Sequence, residues 1–140
     1  FNHNYYGFDD AIFASLKFME YLSNQNESLN NIVSDYLIYS STPELKLYCD
    51  ENIKFQNIDK IVKKIKENTK DLKLNDLDGI RVEANDYWYL IRASNTQNCL
   101  VFRLECKKNI NFKGKLQEIH KFLSDFNLDL KELNSFYETI

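Results

Sequence analysis

Two apolar runs, Tyr87-Trp88-Tyr89-Leu90-Ile91 and Leu100-Val101-Phe102, enclose the polar stretch Arg92-Ala93-Ser94-Asn95-Thr96. Two apolar runs joined by a short polar segment predict a β-hairpin, and this hairpin sits in the most apolar part of the chain. Its connection is rich in hydrogen-bond donors and contains no carboxylate. Arg offers a fixed fork of N–H groups, Ser and Thr offer hydroxyls, Asn offers an amide, and turn backbone N–H groups can add to them. The residues therefore suit an anion. Taken alone, Arg92 also fits a surface arginine paired with a carboxylate, and Ser94 and Thr96 also fit turn residues bonded to their own backbone.

Elements on either side extend the pattern. Leu45, Leu47 and Cys49 alternate with Glu44, Lys46 and Tyr48 as in a half-buried strand, and Ile58, Ile61, Val62 and Ile65 form a helical stripe with lysines opposite, a solvated face. Ile80 and Val82 alternate with Arg81 and Glu83, and Asn85-Asp86 turns the chain into the aromatic strand. Leu100, Phe102, Leu104 and Cys106 share one face of a last strand. Leu116, Ile119, Leu123 and Phe126 stripe a closing helix. The order β-α-β-β-β-α predicts an α+β domain over residues 44–140, an antiparallel four-stranded sheet with two helices on one face.

Residues 1–36 read differently. Asp9 or Asp10 caps a helix carrying Ile12, Phe13, Leu16, Met19 and Tyr21 and ending near Leu22, and Leu29, Ile32, Val33 and Tyr36 repeat the spacing in a shorter helix. Two such helices cannot bury both apolar faces. The single proline, Pro43, follows Ser40-Ser41-Thr42 and places a linker at 37–43.

With 140 residues, 44% of them hydrophobic, the chain can fill one modest core. It opens on Phe1 and carries neither a signal-peptide pattern nor a membrane-length apolar run, so it reads as a piece of a longer soluble protein. Cys49, Cys99 and Cys106 are odd in number and lack CxxC spacing, which argues for reduced thiols and a cytoplasmic location rather than a disulfide framework or a zinc site. The net charge of −3 and the scattered lysines argue against a nucleic-acid footprint. His3 and His120 have no evident catalytic partner. Asp76, Asp78 and Gly79 resemble part of a calcium loop but lack its third carboxylate and distant Glu, and read as a strand-entry turn.

The segment from Asp78 to Glu105, DGIRVEANDYWYLIRASNTQNCLVFRLE, resembles the C-terminal domain of the alpha-D-phosphohexomutases, especially their bacterial phosphomannomutase/phosphoglucomutase branch. Asp-Gly-x-Arg-Val, a Trp, Leu-x-Arg-Ala-Ser-Asn-Thr and an x-Arg-x-Glu strand carry the likeness. YYGFDDAIFASLKFMEYLS looks like the helix ending the family's third domain, and Ser41-Thr42-Pro43-Glu44 looks like the start of its fourth. Where many members have Pro, Gly, Glu and Pro, this chain has Ala93, Asn95, Gln97 and Asn98; the first two changes are typical of the named branch.

The resemblance implies a TATA-binding-protein-like fold for residues 44–140. It also implies that Arg92, Ser94, Asn95 and Thr96 bind the non-reacting phosphate of a hexose phosphate. The intact enzyme would interconvert hexose 1- and 6-phosphates through an enzyme phosphoserine, a magnesium ion and a hexose bisphosphate intermediate, with this domain closing over the cleft. Its partners would be the substrate and the remaining domains, with no nucleic acid and no membrane. No phosphoserine segment, Asp-x-Asp-x-Asp magnesium loop or Gly-Glu-x-Ser-Gly-His sugar loop occurs here. The 140 residues alone are thus expected to hold no metal and to be inactive. Two other readings stand beside this: a single-stranded RNA module using Tyr87, Tyr89 and Arg92, and a purely structural docking domain.

Overall fold

The computed structural model describes residues 5–34, 36–69 and 72–140. The chain divides into two compact units, one ending at Leu37 and the other running Ile38–Ile140. In the first, α1 (Ala11–Ser23) starts at Asp10, whose carboxylate accepts the Phe13 N–H at 2.9 Å, and α2 (Leu29–Ser34) follows a polar loop. Asp10 also accepts a hydrogen bond from the Tyr5 hydroxyl, and the Tyr5 ring stacks on Phe13 at 4.2 Å. Neither helix buries a residue, as expected of two helices with too little to pack against.

The second unit is built on a six-stranded antiparallel sheet. Its strands are β1 (Tyr39–Ser41), β2 (Leu45–Tyr48), β3 (Lys73–Asn75), β4 (Ile80–Glu83), β5 (Tyr87–Ala93) and β6 (Cys99–Lys107). The α+β class and the four expected strands are present, but the strand number is six. β1 falls within the expected linker at 37–43, and β3 fills a stretch with no strand signal. β1 and β2 lie end to end along the same edge of β6, followed across the sheet by β5, β4 and β3. Thr42 spans the gap between them: its N–H donates to the Leu104 carbonyl at 2.9 Å and its hydroxyl accepts the Leu104 N–H at 3.0 Å. Pro43, which has no N–H to give, thus follows a residue that makes two contacts.

Helices α3 (Glu51–Asn68) and α4 (Phe112–Leu123) supply the two expected stripes, and α5 (Lys131–Thr139) is a third helix the expected order lacks. The core joins Ile58, Ile61 and Ile65 of α3, Leu116, Ile119 and Leu123 of α4, and Leu133 of α5 to Leu45, Leu47, Ile80, Val82, Ile91, Leu100, Phe102 and Leu104 of the sheet. α5 has a further task at the sheet's edge. The Lys46 N–H donates to Glu132 Oε2 at 2.8 Å, and Asp129 N–H donates to the Tyr48 carbonyl at 2.7 Å. Those bonds occupy groups that an open β2 edge would offer to another chain. His120 contacts Asn134 Oδ1 at 2.6 Å, tying α4 to α5.

Phe102 is fully buried on the central strand β6, flanked by Leu45 and Ile91. Phe102→Ala should lower the unfolding free energy by about 3–5 kcal/mol, read by urea denaturation of the chain.

Candidate functional site

Side chains alternate across a strand, so the residues that send Tyr87, Tyr89, Ile91 and Ala93 to the helix side send Trp88, Leu90 and Arg92 to the open face. Arg92 is still strand, the last but one residue of β5, and lies opposite Val101, which in turn lies opposite Lys46. The connection proper is 94–98, shorter by two at its start than the polar run suggests.

Gly79 fixes where Arg92 stands. Its φ is +76°, and a Cβ there would run into the Ile91 carbonyl oxygen and come 2.6 Å from Arg92 Cα. The Asp-Gly turn at the head of β4 therefore needs glycine twice over, for its left-handed backbone and for its approach to β5. Asp76, in the same turn, pairs with Lys66 of α3, which gives this carboxylate a structural partner.

The connection is held from beneath. Ser94, 8% exposed, donates its N–H to the Cys99 carbonyl at 3.0 Å, and its hydroxyl oxygen accepts the N–H groups of Thr96 at 3.4 Å and Gln97 at 3.2 Å. Cys99 N–H donates to the Gln97 carbonyl at 2.9 Å, and Cys49 N–H donates to the Asn98 carbonyl at 3.1 Å. Lys54 of α3, 6% exposed, donates from Nζ to the Ser94 carbonyl at 2.8 Å and the Gln97 carbonyl at 3.1 Å. Asn95, Thr96, Gln97 and Asn98 are exposed. A trans peptide points its C=O and N–H opposite ways, so drawing the Ser94 and Gln97 carbonyls inward turns the Asn95 and Asn98 N–H groups outward.

Of the four residues expected to grip a phosphate, Arg92, Asn95 and Thr96 thus lie on or beside the exposed connection, while Ser94 is turned inward and organises it. Lys54 escaped the sequence reading, whose helical stripe begins at Ile58 with lysines opposite. Its signal was present: 54, 58, 61 and 65 step by four, three and four, which puts Lys54 on the apolar stripe.

Arg92 also differs from its neighbours in pairing. Arg81 meets Glu83 at 2.6 Å and lies 3.8 Å above the Trp88 ring; Arg103 meets Glu105 at 2.6 Å, and Glu105 also accepts the Trp88 indole N–H at 3.2 Å. Among the described residues no carboxylate lies within ion-pair distance of Arg92. Trp88 is accordingly packed and bonded. Burial pushes the Cys49 thiol up and the Cys106 thiol to about 11, so neither is a thiolate nucleophile at neutral pH. Among the described residues no three His, Cys, Asp or Glu come together as a metal site, and no described helix is long and apolar enough to cross a membrane. His3 lies outside the described residues.

An α+β domain whose central hairpin ends in a donor-rich connection, beside an arginine without a carboxylate partner among the described residues, has the chemistry to take an anion. Residues 44–111 match the family model "Phosphoglucomutase/phosphomannomutase, C-terminal domain". The chain is 35% identical over 101 residues to a phosphomannomutase/phosphoglucomutase of Pseudomonas putida, covering 72% of this chain and 21% of that protein. It is 38% identical over 109 residues to a phosphoglucomutase of Neisseria meningitidis serogroup B, covering 75% and 23%. A crystal structure of a phosphoglucomutase/phosphomannomutase family protein from Burkholderia thailandensis superposes with a TM-score of 0.66 at 26% identity, covering 99% of this chain and 26% of that one. The chain carries the C-terminal domain of the phosphohexomutase family. It spans about a quarter of the length of the relatives it matches.

Gly79→Ala should cost about 1–3 kcal/mol for the left-handed backbone alone and shift the Arg92 amide resonance, as read by denaturation and two-dimensional NMR. Arg81, and with it Lys73, holds the Glu83 carboxyl below the usual range. A lowered folded pKa stabilises the fold above the unfolded value, about 4.3, and that contribution disappears as pH falls through the folded pKa. Glu83→Gln should therefore lose less stability between pH 7 and pH 3 than the parent chain does.

Proposed function

We propose that this chain is the C-terminal part of a phosphomannomutase/phosphoglucomutase that interconverts hexose 1-phosphates and hexose 6-phosphates. In this reading Arg92 and the 94–98 connection bind the substrate's non-reacting phosphate. The observation that carries it is that Arg92 has no carboxylate partner among the described residues and stands beside exposed donors, while Arg81 and Arg103 are each neutralised by a glutamate. A guanidinium left without a carboxylate keeps its fork of donors for a ligand, and phosphate oxygens match that fork. Thr96 offers its hydroxyl, Asn95 its side-chain amide and outward N–H, and Ser94 holds the connection in shape. The names of the relatives and the match over residues 44–111 support the reaction class.

Residues 1–36 would then be the last helical segment of the preceding domain, 37–43 the link, and 44–140 a domain that closes over the cleft and excludes water from the transfer. Magnesium, the phosphoserine and the turnover of a hexose bisphosphate belong to the domains the chain lacks, so the 140 residues are inactive alone. The three free thiols fit a cytoplasmic enzyme.

The RNA reading rested on exposed Tyr87 and Tyr89. Both rings pack against the core, and Lys115 lies 4.4 Å over Tyr87, so the aromatic platform is turned the wrong way. Glucose 1-phosphate titrated into the labelled chain should shift amides of 92–98, with binding weakened about tenfold or more by Arg92→Ala, a loss expected when a charged hydrogen-bonding partner is removed. Shifts elsewhere, or an unchanged affinity in the variant, would contradict the assignment.

A further inference from the structure

We infer that Lys54 is the positioning residue that holds the 94–98 connection in its anion-receptive form; this rests on the proposed phosphate-binding role of that connection. Three observations converge on it. Lys54 is almost fully buried, its ammonium has two backbone carbonyls and, among the described residues, no carboxylate as hydrogen-bond partners, and both carbonyls belong to the connection.

A tight turn exposes carbonyl oxygens as readily as N–H groups, and an outward carbonyl repels a phosphate. Lys54 takes the Ser94 and Gln97 carbonyls out of the anion's way and, through peptide planarity, presents the Asn95 and Asn98 N–H groups in their place. The hydroxyl of Ser94 acts on the other two peptides, gathering the Thr96 and Gln97 N–H groups inward at the centre of the turn, so that the outward N–H groups left for an anion are those of Asn95 and Asn98. The ammonium also leaves a positive charge beneath the site that no carboxylate cancels, and the Phe55 ring, 5.2 Å from Nζ, covers it with an aromatic face. A neutral residue would lose both effects: the carbonyls would be free to rotate outward, and the site would lose a charge of the sign an anion needs. The helix carrying Lys54 is anchored in the core by Ile58, Ile61 and Ile65, so the ammonium is held by rigid structure rather than by another loop.

The experiment compares Lys54→Met, Lys54→Arg and Arg92→Ala in the 140-residue chain by two-dimensional NMR, first without ligand and then with glucose 1-phosphate. Lys54→Met should move the Asn95 and Asn98 amides and speed their hydrogen exchange before any ligand is added, and should weaken binding about tenfold to a hundredfold, the range expected when a positioning contact is lost. Lys54→Arg, which keeps charge and donors, should recover most of that affinity. Arg92→Ala should weaken binding while leaving the free Asn95 and Asn98 amides in place. If Lys54→Met leaves both amides and affinity unchanged, the inference is wrong even though the phosphate site stands. If Arg92→Ala does not weaken binding, the phosphate assignment itself has failed, and the ligand-free amide shifts still decide whether Lys54 orders the turn. Should Lys54→Met not fold, the parent chain decides: slowly exchanging Lys54 ammonium protons coupled to the Ser94 and Gln97 carbonyls support the inference, and a rapidly exchanging ammonium overturns it.

Discussion

The pairing of β5 with β6 is the constraint on which the rest depends. Ile91 sits opposite Phe102 and Tyr89 opposite Leu104 with all four directed into the helix-covered side, and that register alone sends Arg92 to the open face. A slip of one residue would exchange the two sets, burying a guanidinium and exposing an isoleucine. The apolar residues of the hairpin thus set the direction of Arg92. Gly79 adds the second coordinate by letting β4 come close to Arg92, and Lys54 adds the third by reaching from α3 to the connection. Core, sheet and site are consequently one arrangement rather than a scaffold with a loop attached.

Burial and pairing divide the charged residues of the domain into two groups. Arg81, Glu83, Arg103 and Glu105 form half-buried pairs around Trp88, contacts that leave no charge to spare. Among the described residues neither Lys54 nor Arg92 has a carboxylate partner. One is buried under the carbonyls of the connection and the other stands on the open face at the end of β5, so the end of the central hairpin carries two positive charges. In a chain of net charge −3, that local excess is a feature of the site and not of the surface as a whole. The same division explains why the overall charge balance hides these two cations.

Elements with a sustained period were legible in the sequence, and the short ones were not. β5 is an unbroken aromatic and apolar run, β6 alternates from Phe102 to Lys107, and the stripes of α3 and α4 repeat over several turns. β1 and β3 have three residues each, too few to display a period, and Tyr39-Ser40-Ser41 offers almost no apolar contrast. α5 was hidden because no side chain caps its first turn, although Leu133, Phe136 and Tyr137 fall at helical steps. At the site, Arg92 was visible because donors cluster around it in sequence. Lys54 comes from a helix forty residues away and reads as one lysine among several until its place on the apolar stripe is noticed. Ser94 was visible as a polar residue, but its inward turn depends on backbone geometry that the sequence does not display.

A crystal structure of the chain with glucose 1-phosphate tests the central claim most directly. The phosphate should lie within hydrogen-bond distance of the Arg92 guanidinium and the Asn95 N–H, with the Lys54 ammonium still on the Ser94 and Gln97 carbonyls. A phosphate bound elsewhere, for example between Lys64 and Lys115 in the cleft bordered by Tyr87 and Tyr89, would contradict it.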